Sequence, residues 1–249
     1  MNASFGEKFR AVLATGRVAN LPTVWSNVLM AFFLAVTLNL NGMGRYFEGS
    51  EDLRYWLLYF TLIAASCIYV GACMLGDYRD INFDRENRPG RPLPCGILSP
   101  GFVALSAISL ITLGLLAGAV ATPASIIIAF DVSFSSLSSA SAKELQVLVQ
   151  PDQLALLALL VTFVVVYALF HKKSKPLALV NMALCRYQLV MFSAVMAIPF
   201  LIFTTTSISF HWLWMSTPLL IVACSVGIYT FLLSSVAATE SNKKKIRYS

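Results

Sequence analysis

Three aspartates stand at i, i+3 and i+7 within the stretch from Leu75 to Gly96: Asp77, Asp80 and Asp84. At about 100° per residue, all three carboxylates fall on one face of a helix. Like charges so placed repel one another unless a cation sits among them. Mg²⁺ suits such a set, because it is a hard ion that takes carboxylate oxygens, keeps waters and accepts phosphate oxygens. Arg88 and Arg91 follow, framed by Pro89, Pro92 and Pro94, which stop the helix and stiffen the loop. Guanidinium groups grip phosphate oxygens two at a time. The spacing therefore predicts a Mg²⁺ site on Asp77, Asp80 and Asp84, with a diphosphate seat at Arg88 and Arg91. The plainer reading pairs the aspartates with Arg79, Arg85 and Arg88 on a solvated face. The coincidence of one-face triad, clustered arginines and proline frame favours the site.

The elements that must hold this motif are set by composition. Of 249 residues, 58% are hydrophobic and only 12% charged, and the mean hydropathy is +0.75. A soluble domain carries about twice that share of charge and could not hide so much apolar surface. The sequence predicts an all-α, polytopic transmembrane helical bundle. About six spans are expected, at 21–40, 55–75, 101–121, 153–170, 177–205 and 212–236, each long enough or nearly so to cross about 30 Å of hydrocarbon. The first is too long, and too far from the start, for a signal peptide. Residues 122–152 read as a Ser-rich, non-cytosolic loop in which Ile126–Phe130 is too short to span.

Fourteen of the eighteen basic residues fall before span one, between spans two and three, between four and five, and after six. This bias places both termini and the two basic loops in the cytosol. The net charge of +6 then belongs to those loops and implies no nucleic-acid partner. Cys67, Cys73, Cys95, Cys185 and Cys224 have no metal-type spacing and read as buried thiols.

Arg186 lies about ten residues into span five. A charge at that depth costs about 2.5–3.5 kcal/mol, so it should face the bundle and have a use or a partner there. Lys172 and Lys173 either reach the diphosphate or set topology. His171 reads as interfacial rather than metal-binding, His211, Trp212 and Trp214 as a belt at the far surface, and Pro199 as a kink.

The order Gly76-Asp-Tyr-Arg-Asp-Ile-Asn-Phe-Asp-Arg-Glu-Asn-Arg-Pro-Gly-Arg-Pro-Leu-Pro-Cys-Gly96 resembles the first aspartate-rich motif of the UbiA-type intramembrane prenyltransferases. Asp77, Asp80 and Asp84 match its aspartates, and Arg88, Arg91 and Gly96 its trailing residues; Gly76 replaces the usual Asn. The segment from Arg17 to Asn27 resembles the family's first-helix entry, Tyr167–Lys173 its region after helix four, and Met182–Arg186 a Met-Gly-Leu-Cys-Arg pattern of one branch. The resemblance implies a single domain over 1–249, built around a cavity that opens to lipid and that Asn27 and Arg186 face. It implies Mg²⁺, a prenyl diphosphate, and a lipophilic, often aromatic, acceptor that captures the carbocation left by ionisation. Tyr78 and Tyr187 are candidates to stabilise that cation.

The family commonly has nine helices and a second acidic motif after helix six. Here that position offers only Glu240, and helices seven to nine are absent, so the sequence reads as a divergent or C-terminally truncated member with slow turnover or none. Two functions follow: Mg²⁺-dependent prenyl transfer, or binding and transport of an isoprenoid lipid without catalysis. The motifs of CDP-alcohol phosphotransferases and of soluble prenyl synthases are not found.

Overall fold

A computed structural model describes residues 4–43, 51–134, 151–172, 174–197 and 208–247. Every regular element among them is helical. The helices are α1 (Phe5–Thr15), α2 (Leu21–Met43), α3 (Glu51–Arg79), α4 (Ile81–Asn87), α5 (Pro100–Phe134), α6 (Pro151–Phe170), α7 (Lys175–Ala197) and α8 (Ile208–Arg247), with a 3₁₀ turn at Val18–Asn20.

Five segments are long and apolar enough to cross a membrane: Val18–Leu38, Tyr55–Arg79, Pro100–Val120, Lys175–Ala197 and Thr217–Ala237. The expected fourth span is a shorter apolar helix, Leu154–Phe170. The chain is thus an integral, multi-pass membrane protein of all-α architecture. Leu105, Ile108, Leu116, Ile228 and Leu232 are exposed on the outside of the bundle, where a bilayer rather than water solvates them.

Two sequence expectations need correction. Residues 122–134 are not loop: α5 runs on to Phe134 and takes in the Ile126–Phe130 run. An apolar stretch too short to span alone can still extend a helix already begun, because propagation is far easier than nucleation. The residues ahead of the first span also form a helix. Ser4 and Glu7 form a reciprocal capping box that starts α1. Lastly, all five cysteines are free, but Cys95 and Cys224 are exposed. Pro199 and Lys173 lie outside the described residues, as do residues 135–150.

The helices pack around one space. α3 contacts α2, α5 and α6; α7 contacts α2, α6 and α8. α2, α3, α6 and α7 make the inner wall, and α5 and α8 brace it from outside. The α3–α5 seam is the closest. A Cβ on Gly71 would stand 2.9 Å from the Ala107 carbonyl oxygen, and one on Gly114 would stand 2.9 Å from the Ala64 carbonyl oxygen. In hydrocarbon, helices gain little from burying apolar surface against each other, so such small residues matter because they let backbones meet.

Gly114→Ala should therefore lower the melting temperature of the detergent-solubilised protein, by an overpacking cost of about 1–3 kcal/mol. Gly101→Ala, where a Cβ meets nothing within 4 Å, should not. Equal melting of the two variants would contradict the close seam.

Candidate active site at the charged end of the cavity

α3 ends at Arg79, and the backbone bends at Asp80 (φ −88°, ψ 0°) before α4 resumes. The i→i−4 hydrogen bonds continue across the bend, from Asp80 N–H to Gly76 and from Asp84 N–H to Asp80. The three aspartates therefore keep nearly helical spacing. Each is largely buried, with side-chain exposures of 12% for Asp77, 14% for Asp80 and 3% for Asp84.

Their counter-charges come from the loop that follows and from two segments far along the chain. Arg91 Nη1 donates to Asp84 Oδ2 at 2.7 Å and stands 3.4 Å from Asp77 Oδ1. Arg17 Nη2 approaches the same Asp77 oxygen at 3.4 Å. Asp80 faces the other way, where His171 Nε2 lies 3.1 Å from Oδ2 and Lys172 Nζ 2.9 Å from Oδ1. The aspartates do not pair with Arg79, Arg85 or Arg88. This is a tertiary cluster, not a solvated face.

Local sequence explains how these cations arrive. Arg88 ends α4 at φ −147°, ψ 60°, before Pro89, which excludes helical backbone at the residue ahead of it. The following loop folds back: Leu93 and Leu98 are buried with Ala11, Met74, Val103 and Ala107, while Gly96 turns the chain at φ +79°. Burying those two leucines points Arg91 inward. Arg88 stays exposed and makes no ion pair among the described residues, so the expected two-arginine seat has one described member, Arg91.

Arg17 is held in left-handed backbone, φ 49° and ψ 41°, which costs a non-glycine residue about 1–2 kcal/mol. The turn is possible because Gly16 lies against α3, where a Cβ would stand 2.9 Å from Val70 Cγ1. Strain of this kind gathers where a side chain must be placed for a purpose.

His171 is a site neighbour that sequence reasoning set aside as interfacial. Its ring stacks on Tyr167, with centroids 5.3 Å apart. Nδ1 lies 3.1 Å from the Tyr167 carbonyl oxygen and Nε2 faces the Asp80 carboxylate. Both facing atoms are acceptors, so only the doubly protonated ring satisfies both. The Asp80 hydrogen bond accordingly raises the His171 pKa above its usual value, against the effect of burial. For Asp80, burial pushes the carboxyl up, but His171 and Lys172 outweigh it and hold it below its usual value. Lys172 Nζ also sits 3.8 Å above the Phe83 ring.

Above this cluster lies a cavity of about 210 Å³. Its polar end carries Arg17, Asn20, Asp80 and His171, and its depth is lined by Val24, Ile68, Leu160, Val164 and Leu189. Arg186 lines it. Asn27 is half-buried and outside that lining, where Asn20 stands instead. The aromatic faces are Tyr69 and Tyr167, not Tyr78 or Tyr187. Helical geometry gives the reason. Tyr78 is two residues from Asp80, about 200° around the axis, and Tyr187 is about 100° from Arg186. Following α3 upward from Asp80 in steps of three and four gives Gly76, Cys73 and Tyr69, a stripe already present in the sequence.

The carboxylates were also expected to gather round one metal ion. Among the described residues, no three acidic, His or Cys groups do so, because Arg91 stands between Asp77 and Asp84 while Asp80 turns to His171. A Mg²⁺ bound chiefly through substrate phosphates needs only one or two carboxylates. Asp84 Oδ1 meets that need, being buried with no hydrogen-bond partner. The donor set fits the ion as a site shared with a diphosphate, not as a closed protein cage.

The architecture and cluster define an intramembrane protein with a polar, phosphate-compatible end and an apolar depth. Residues 29–139 match the UbiA prenyltransferase family. Over that segment, which contains Asp77, Asp80, Asp84 and Arg91, the chain is similar to that family. No curated protein and no solved structure gives a match.

Arg91→Gln should remove the counter-charge of a carboxylate that remains buried, destabilising the protein by up to about 3 kcal/mol. Arg88→Gln should leave thermal stability unchanged. A scan showing equal melting of both variants would contradict the assignment of Arg91.

Proposed function

We propose that the chain binds a prenyl diphosphate from the bilayer and transfers its prenyl group, with Mg²⁺, to a lipophilic acceptor within the membrane. The observation that carries this reading is the meeting of Arg17, Arg91, His171 and Lys172 with three buried aspartates at the polar end of an apolar cavity. A diphosphate with a long hydrocarbon tail has the same polarity, end to end.

The residues act in stages. Arg17, Arg91 and Lys172 attract the diphosphate; Arg17 and Arg91 can exchange their 3.4 Å contacts with Asp77 for phosphate oxygens, which suit guanidinium geometry as well, while Arg91 keeps Asp84. Asp77 and Asp84 would hold Mg²⁺, which supplies charge to neutralise the leaving group when bound. The allylic C–O bond breaks with its electron pair leaving on the diphosphate. Tyr69 and Tyr167 offer aromatic faces to the resulting cation, and Val24, Ile68 and Leu160 exclude water that would quench it. An acceptor carbon forms the new bond and its proton passes to the departing diphosphate. His171, held as the imidazolium by Asp80, keeps a positive charge near that anion.

One observation favours a second reading, binding or movement of an isoprenoid lipid without transfer. Asp80 is the only carboxylate lining the cavity among the described residues, and it is paired with His171 and Lys172, whereas Asp77 and Asp84 lie outside that lining; beyond these three, no described carboxylate is offered to a second metal ion. Losing one charge-stabilising contact typically slows such a step by about 10²–10³.

Purified chain in nanodiscs, incubated with labelled farnesyl or geranylgeranyl diphosphate, separates these readings. Mg²⁺-dependent binding is expected, weakened at least about tenfold by Asp84→Asn, since charged hydrogen-bond partners are worth roughly 1.5–3 kcal/mol. Diphosphate release on adding an acceptor marks a transferase; binding without release marks a carrier. Equal, Mg²⁺-independent binding by wild type and variant would sink both.

A further inference from the structure

α1 turns three large apolar side chains away from the rest of the protein. Phe5 is 86% exposed, Phe9 56% and Leu13 38%. At about 100° per residue they share an arc of roughly 80° on the helix. Ala11 and Thr15, the two buried residues of α1, are centred about 140° round the axis from that arc. The arc cannot roll inward to find cover, because α1 is held at two points. Ala11 is buried in the cluster with Met74, Leu93 and Leu98, and just past the C-terminal end a Cβ on Gly16 would stand 2.9 Å from Val70 Cγ1. An exposed apolar patch rimmed by polar groups marks a contact with another protein or with a membrane.

Depth and charge decide between the two. Val70 and Met74 belong to the span Tyr55–Arg79, about 13 Å and 7 Å from its Arg79 end. α1 leads through Gly16 and Arg17 into the first span, which begins at Val18. A helix held against such residues lies near the boundary between headgroups and hydrocarbon. Lys8 lies about 60° outside Phe5 and Arg10 about 60° outside Leu13, so one cation flanks the apolar arc on each side. Both are exposed and make no ion pair among the described residues. Glu7, the one acid of α1, is about 160° from the centre of the arc, and its carboxylate accepts from the Ser4 backbone N–H at 2.8 Å. An apolar face bounded by free cations suits a surface of anionic lipid, where the cations meet headgroup phosphates.

We propose that α1 is an in-plane anchor that binds anionic lipid. Phe5, Phe9 and Leu13 sink among the acyl chains, while Lys8 and Arg10 hold acidic headgroups. None of these five residues lines the cavity, so the surface is separate from the candidate active site and independent of what that site binds.

The test uses the full chain in nanodiscs of phosphatidylcholine in which a third of the lipid is phosphatidylglycerol. A photo-crosslinking benzoylphenylalanine stands at Phe9 or, for comparison, at Ala14, which is exposed on the opposite side of α1, and mass spectrometry identifies the adducts. The probe at Phe9 should capture lipid and the probe at Ala14 little. The ratio of phosphatidylglycerol to phosphatidylcholine in the Phe9 adducts should exceed the bulk ratio about fivefold or more, as one basic residue near an anionic surface implies. Lys8→Gln combined with Arg10→Gln should bring that ratio back toward the bulk value at an unchanged melting temperature. Equal lipid capture at Phe9 and Ala14, or capture of protein in place of lipid at Phe9, overturns the proposal. So does a ratio equal to the bulk in the chain with both cations, or an enrichment that the double variant leaves unchanged. If the chain with the probe at Phe9 does not fold, the probe at Phe5 decides by the same outcomes.

Discussion

Asp84 is only 2% exposed. Burying a carboxylate is costly unless a partner of opposite charge stands close by, and Arg91 at 2.7 Å is that partner. Much of the charged end of the bundle follows from this need. To bring Arg91 to Asp84 the chain must leave α4 at Arg88, turn through a proline frame and a left-handed glycine, and bury Leu93 and Leu98 under α1 and α5. Arg91 also reaches Asp77, which draws in Arg17 and fixes how the first span begins. On the far side of the same bend, Asp80 ties the junction of α6 and α7 to α3 through His171 and Lys172. One buried acid cluster thus joins three chain segments that are remote in sequence.

This arrangement also suits a ligand that must come and go. Cations at 3.4 Å from Asp77 are loosely held, while Arg91 and Asp84 form the tight contact. A phosphate group can compete for the first without dismantling the second. Asp84 Oδ1 has no hydrogen-bond partner, so the cluster keeps one acceptor open. A fully satisfied network would gain stability, but it would offer nothing to an incoming anion or metal ion.

Much of this was legible in the sequence. The apolar stretches, their bounding charges and the i, i+3, i+7 aspartates follow local rules, so the membrane helices and the acidic motif could be read directly. Long-range partners could not. Spacing alone does not separate Arg91 from Arg88, because the difference arises from where Leu93 and Leu98 find burial, against α1, α3 and α5. His171 looked interfacial because Asp80, its partner, lies 91 residues away. Arg17 looked like a topological charge because its left-handed turn depends on Gly16 meeting α3. The cavity tyrosines could have been found, since Tyr69 lies on the α3 stripe that runs up from Asp80. The true length of α5 was hidden by a serine-rich stretch that resembles loop.

The central claim is that the Asp77–Arg91–Asp84 cluster seats the diphosphate. Phosphorus–nitrogen dipolar dephasing tests it most directly, using ¹⁵N-arginine-labelled protein in lipid with bound geranylgeranyl diphosphate and Mg²⁺. The account predicts a contact of about 4 Å between diphosphate phosphorus and guanidinium nitrogen, as charged N···O bonds of roughly 2.8 Å imply, and a clear loss of signal in Arg91→Lys. Bound diphosphate with no arginine contact, or with a contact that Arg91→Lys leaves untouched, would contradict it.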